Sequence, residues 1–122
     1  MPIIDIELVC ESEAEFGEIS AAALADALGQ VLGGPPGSTW VRLRFLAHGA
    51  YAENGCTLSR AELPAFVTVL HAHPPVGDAL GGEAMAIALA VAGCVARERE
   101  RVHVQYAPPG VGRQAFGGEF VQ

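Results

Sequence analysis

Between Pro2 and Val9, apolar and acidic residues alternate, with Ile4, Ile6 and Leu8 on one side of a two-residue period and Asp5 and Glu7 on the other. This is the pattern of a strand with one covered face. The period then changes. Ser12 and Glu15 carry the spacing of a capping box. Phe16, Ile19, Ala23, Ala27 and Val31 follow at helical spacing, with Leu24 and Leu28 alongside. One helix is therefore predicted from Ser12 to Gly33-Gly34-Pro35-Pro36, where two glycines and two prolines end it. Thr39 to Leu46 returns to a period of two, with Val41, Leu43 and Phe45 on one face and Trp40, Arg42 and Arg44 on the other. His48 to Gly55 reads as a turn or short edge strand, and Arg60 to Leu63 as a polar connector. A third strand is expected from Pro64 to about Ala72, and a loop over Pro74 to Gly77. A second helix runs from about Ala79 to Arg99 and a last strand from Val102 to Tyr106. Pro108-Pro109-Gly110 opens the tail.

The order is β-α-β twice, with a proline leading each half: Pro2 and Pro64. The reading is a single α+β domain over 1–122, its pseudo-repeat halves at about 1–60 and 61–122. Parallel β-α-β crossovers are right-handed almost without exception. Two of them give a four-stranded sheet with both helices on one face. The other face carries apolar residues too, and a chain of 122 residues cannot cover it, so oligomerisation is expected. The longest apolar run, Ala84 to Ala96, falls short of the ~20 residues of a membrane span. It reads as a helix covered on nearly all sides, with another subunit as one candidate cover.

Composition narrows the function. The chain is 51% hydrophobic and 17% charged, as a globular protein is. Its net charge is −7, its seven basic residues are all arginines, and no basic cluster occurs. That argues against nucleic acid or a membrane as partner. Without lysine there is no Schiff-base chemistry. Cys10, Cys56 and Cys94 show no CxxC spacing and cannot all pair, which suggests a reducing compartment. No charged stretch followed by an apolar core opens the chain, so a cytoplasmic location without a signal peptide is expected. Neither a phosphate loop nor a G-x-S-x-G motif is present. His71 and His73 form an HxH pair without a third ligand at suitable spacing, so no metal is expected.

Pro2 is the strongest chemical signal. Initiator Met is usually cleaved before a small residue such as proline. That would leave a secondary amine at the start of a buried strand. Burial pushes an amine below its open-solution value of about 7.7–8, toward the range useful to a general base. The plainer alternative is a proline tolerated as the first residue of a strand.

The Met-Pro strand, the second proline-led unit at Pro64, VRLR, YAENG and the tail GRQAFGG together resemble the tautomerase superfamily. That group includes 4-oxalocrotonate tautomerase and macrophage migration inhibitory factor. The resemblance spans the whole chain in architecture and is closest to the fused, two-unit, trimeric type. It implies a homotrimer without a cofactor, in which Pro2 moves a proton between carbon and oxygen of a keto–enol pair. Arg42 resembles the strand arginine that holds the substrate carboxylate, and Arg44 shares its face. A planar, permanently charged fork suits that role. His103 stands where macrophage migration inhibitory factor has an active-site tyrosine, and is a candidate second acid. Gly34 replaces the lysine that precedes the Pro-Pro pair there. Arg113 is the candidate second cation, with Phe116 as an apolar wall. Tyr51 and Glu53 are candidates for proton donor and water activator. The implied function is a cofactor-independent isomerase of a small 2-oxo or enol carboxylate. A haloacrylate dehalogenase, a decarboxylase and a non-catalytic trimeric binding protein stand as alternatives.

Overall fold

The computed structural model describes residues 1–122. Strands β1 (Ile3–Cys10), β2 (Trp40–Ala47), β3 (Ala65–Leu70) and β4 (Val102–Tyr106) form one mixed sheet in the order β2-β1-β3-β4. The pairs β1·β2 and β3·β4 are parallel, and the central pair β1·β3 is antiparallel. The halves are related by a two-fold axis between β1 and β3. The shift that carries Pro2 onto Pro64 also carries the pair Ile3–Trp40 onto Ala65–Val102. Ile4, Ile6 and Leu8 of β1 and Ala65, Val67 and Val69 of β3 are buried beneath the helices. The alternation read in β1 is therefore the core face of the sheet.

The first predicted helix is two. Helix α1 spans Glu13–Gly17 and α2 spans Ala21–Leu32. Ser12 Oγ accepts the Glu15 N–H at 3.1 Å, and Ser20 Oγ accepts the Ala23 N–H at 3.0 Å. A second capping hydroxyl only eight residues on restarts the helix on a new axis, which outweighs the continuous apolar spacing. Glu15 does not close a box on Ser12; its carboxylate takes the Glu11 N–H instead. Helix α3 spans Asp78–Val95 and ends four residues before the Arg99 expected. It is long and apolar enough to cross a membrane by length and composition alone. Here Ile87, Ala88, Val91, Ala92 and Val95 pack into the core, while Met85 and Leu89 stay exposed. Within one chain a single face of this helix is covered.

Both long helices end on left-handed residues, Gly33 at φ 73° and Ala96 at φ 57°. An L-residue with a Cβ is strained there. Ala96→Gly is expected to stabilise the fold by about 1 kcal/mol in urea denaturation.

The uncovered sheet face carries apolar residues, as expected, Phe66 and Leu46 among them, but charged and polar ones stand between them. Pleating puts Asp5 and Glu7, Arg42 and Arg44, Thr68, and His103 and Gln105 on it. Gln105 donates to Thr68 Oγ1 at 3.1 Å, and Arg42 pairs with Asp5. The middle of this face is polar. Apolar groups such as Ile3, Trp40 and Leu70 mark one end of it.

After β4 the tail crosses the end of the sheet where Pro2 lies. Ala107 donates to Val69 O and Gly110 to His71 O, each at 2.9 Å. It closes as a hairpin of β5 (Ala115–Phe116) and β6 (Glu119–Phe120). Gly117 and Gly118 both have positive φ at its tip, as a tight two-residue turn requires.

Candidate active site

Pro2 is buried at the head of β1, and its carbonyl accepts the Trp40 N–H at 3.1 Å. Beside it opens a cavity of about 400 Å³, lined by Met1, Pro2, Leu32, Gly34, Pro35, Ser38, Thr39 and His71. The loop after α2 forms one wall. Ser38 folds back and donates its hydroxyl to Pro35 O at 2.6 Å. A Cβ on Gly34 would stand 2.2 Å from Ser38 Oγ, so a side chain here, lysine included, requires the Ser38 hydroxyl to turn away from Pro35 O. Thr39 Oγ1 is buried without a hydrogen-bond partner.

His71, directly after β3, lines the same cavity. Its Nδ1 accepts the His73 N–H at 3.0 Å. Burial pushes its pKa down, and the nearby N-terminal ammonium and His73 add to this, against the pull of Glu83 on α3. Glu83 accepts the Tyr106 hydroxyl at 2.6 Å. Burial, reinforced by Glu83, pushes the Tyr106 phenol well up. His73 Nε2 lies 2.9 Å from Gln122 O, and no group of three His, Cys, Asp or Glu side chains is assembled as a metal needs.

The other residues singled out in the sequence fall in three places. Arg113 and Phe116 are carried by the tail to the Pro2 end of the sheet. Arg113 N–H donates to Gly110 O at 2.9 Å, and the Phe116 ring meets Trp40 edge-on at 5.2 Å. Arg42 lies on the uncovered face, 69% exposed, with Nε and Nη2 on the two Asp5 oxygens at 2.5 and 2.7 Å. The hydrogen bond from Arg42 holds the Asp5 carboxyl below its ordinary range. Arg44 sits one pleat further, in register with Glu7. Neither arginine lines the cavity of its own subunit.

Tyr51, Glu53 and His103 gather near Phe66. The Tyr51 hydroxyl donates to Glu53 Oε2 at 2.7 Å, and Arg101 Nη2 donates to the same oxygen at 2.6 Å. Phe66 lies 5.6 Å from both the Tyr51 and His103 rings. The Tyr51 hydrogen bond, then Arg101, lowers the Glu53 pKa, while burial and Glu53 raise that of Tyr51. Phe66 pairs with Glu7, five residues along β1 from Pro2, which is about 16 Å at strand rise. Within one subunit this group is separate from the cavity.

Sequence reasoning missed Ser38, Thr39 and His71 in the cavity, and Arg101 at Glu53. The usable signal for His71 was its place one residue beyond the strand that pairs with the Pro2 strand.

No family profile matches the chain, and no curated protein matches it in sequence. Solved structures do match in fold. Pt0534, solved after inactivation by 2-oxo-3-pentynoate, aligns with a TM-score of 0.73 at 18% identity, over 97% of this chain and 94% of that one. A fused 4-OT, described as a symmetric trimer, aligns at 0.69 and 18%, over 97% and 94%. Macrophage migration inhibitory factor from Oncomelania hupensis aligns at 0.72 and 20%, over 100% and 83%. The chain shares the α+β fold of these structures.

Proposed function

We propose that the chain is a tautomerase-superfamily enzyme, a cofactor-independent isomerase of small 2-oxo or enol carboxylates with Pro2 as general base. One observation carries the reading: a buried proline heads β1 at the wall of a cavity of about 400 Å³, within a tautomerase fold. With Met1 removed, the Pro2 nitrogen is a secondary amine facing that cavity. It takes a proton from carbon next to the substrate carbonyl and returns it elsewhere. The cavity of a single subunit holds no arginine, yet a carboxylate and a developing enolate both need positive charge. Arg42 is exposed and lies on the face that oligomerisation would cover, so it serves the cavity of a neighbouring copy in a homotrimer. Arg113, with Phe116 beside it, supplies the second cation from the tail. Arg44 is the substitute if Arg42 does not serve.

Arg42→Ala is expected to lower kcat/KM for carboxylate substrates about 10²-fold or more, measured on protein beginning at Pro2. Activity within twofold of the parent would move the carboxylate to Arg44 or Arg113. Sedimentation at micromolar concentration should give three times the 12.6 kDa subunit mass. A monomer would undo the shared site.

The hydrolytic alternative, a dehalogenase or decarboxylase, asks Glu53 to activate water. Both Tyr51 and Arg101 occupy Glu53 Oε2 and stabilise its charged form, which makes it a weak base. That favours isomerisation. The binding-protein alternative predicts no turnover from any form of the protein.

A further inference from the structure

We propose that His71 is a catalytic residue of the Pro2 cavity, a neutral imidazole that presents Nε2–H to the carbonyl oxygen of the bound substrate. The inference rests on the Pro2 reading and adds the group that faces the substrate oxygen. Three observations support it. His71 lines the same cavity as Pro2. Its Nδ1 is occupied by the His73 N–H, a donor that cannot be switched off, so Nδ1 must be the acceptor and the ring proton belongs on Nε2. Nε2 has no hydrogen-bond partner within the chain, although the other ring nitrogen is engaged.

The surrounding charges suit a neutral donor. Glu83 from α3 favours the protonated ring, but Tyr106 from β4 already donates to its Oε2. Burial, the largest influence, and His73 oppose the charged ring, and neither depends on Met1. A neutral imidazole adds no second positive charge beside the Pro2 ammonium that proton abstraction creates. It still offers a directed donor where charge develops.

The step balances as follows. Pro2 nitrogen takes a proton from carbon, and the C–H pair becomes the new C=C bond. The carbonyl π pair moves to oxygen, where His71 Nε2–H hydrogen-bonds it. In a 2-oxo carboxylate with a C=C next to the deprotonated carbon, the oxygen pair flows back to re-form the carbonyl, the double bonds shift by one position, and the Pro2 ammonium returns the proton to the far carbon of that C=C. His71 keeps its proton throughout.

The test uses the full chain beginning at Pro2, with imidazole nitrogen NMR, pyruvate as probe and propionate as the control that lacks a carbonyl. At pH 7, His71 should show Nε2 protonated and Nδ1 unprotonated, and pyruvate but not propionate should shift the Nε2–H signal. His71→Ala should lower kcat about 10²-fold with little change in KM, and His71→Gln, which keeps an N–H donor, should restore part of it. A ring protonated on Nδ1, or an Nε2–H signal unmoved by saturating pyruvate, overturns the proposal. Because these signals come from the parent protein, misfolding of a variant cannot hide that result. The Pro2 reading is followed separately, by alkylation of the terminal amine. Normal alkylation and turnover with a fully active His71→Ala would sink the His71 role alone. A pyruvate-responsive His71 beside an unreactive Pro2 would sink the general base and leave His71 as the oxygen-binding group.

Discussion

Protein beginning at Pro2 is expected to turn over enol and 2-oxo carboxylates at least about 10²-fold faster than matched protein that keeps Met1, this being the lower end of what a positioned general base supplies. Two physical effects act in the same direction. With Met1 attached, the Pro2 nitrogen is a tertiary amide, with no lone pair free to accept a proton and none to give back. Met1 also lines the cavity beside Pro2, so it occupies space that substrate would use. Intact mass defines each sample, and both are assayed on the same substrates. Equal rates would remove Pro2 from the mechanism and leave the base elsewhere, with His103 and Glu53 as the remaining candidates from the sequence. Absence of turnover in both forms would favour the binding protein.

Arg97→Met is expected to cost about 3–5 kcal/mol of stability in urea at pH 7, the range for breaking one partner of a buried ion pair. The guanidinium is 5% exposed. It donates to Leu63 O at 2.7 Å, to Val95 O and Val9 O at 3.1 Å, and to Glu15 Oε1 at 3.2 Å. One side chain thus ties the end of α3 to β1, to the connector before β3 and to α1. Methionine keeps most of the packing but leaves those carbonyls without their donor, and Glu15 with only the Glu11 N–H and the more exposed Arg60. Burial pushes the Glu15 carboxyl up, but the Glu11 N–H, Arg60 and Arg97 outweigh it and hold it below the ordinary range. A depressed carboxylate contributes stability above its unfolded value of about 4.3, and that contribution is lost as pH falls through the folded value. The gap between parent and Arg97→Met should therefore narrow toward pH 3. A loss under 1 kcal/mol at pH 7 would mean that Arg97 is replaceable by water.

The strand alternations were legible because each core strand buries one face: Ile4, Ile6 and Leu8 could be assigned without knowing their neighbours. Pro64 revealed the duplication for the same reason, since each proline stands at the head of such a strand. What escaped depended on register. Arg42 meets Asp5 only because β1 and β2 pair in parallel with those residues opposite, and nothing local to either one says so. Arg97 escaped because most of its partners are main-chain carbonyls, which leave no trace in side-chain identity. The break at Ser20 was visible as a residue type but was masked by apolar spacing that continued through it. His71 invited comparison with His73 as a metal pair. The actual link runs through the His73 main-chain N–H, which uses the nitrogen a metal would have needed.

The two-fold relation between the halves has a consequence for counting reactive groups. Pro64 occupies the place in the second half that Pro2 holds in the first, but its nitrogen is sealed in the Leu63–Pro64 peptide bond. The cavity at that end, about 290 Å³, is lined by Arg97 and Glu15, where the Pro2 cavity is lined by Gly34, Pro35 and no arginine or carboxylate side chain. Each chain therefore offers two equivalent positions and a single terminal amine. A reagent specific for that amine saturates at one equivalent per chain, half the number of architecturally matched positions. Such a half-complete titration would reflect covalent connectivity, present before any ligand binds, and not communication between subunits.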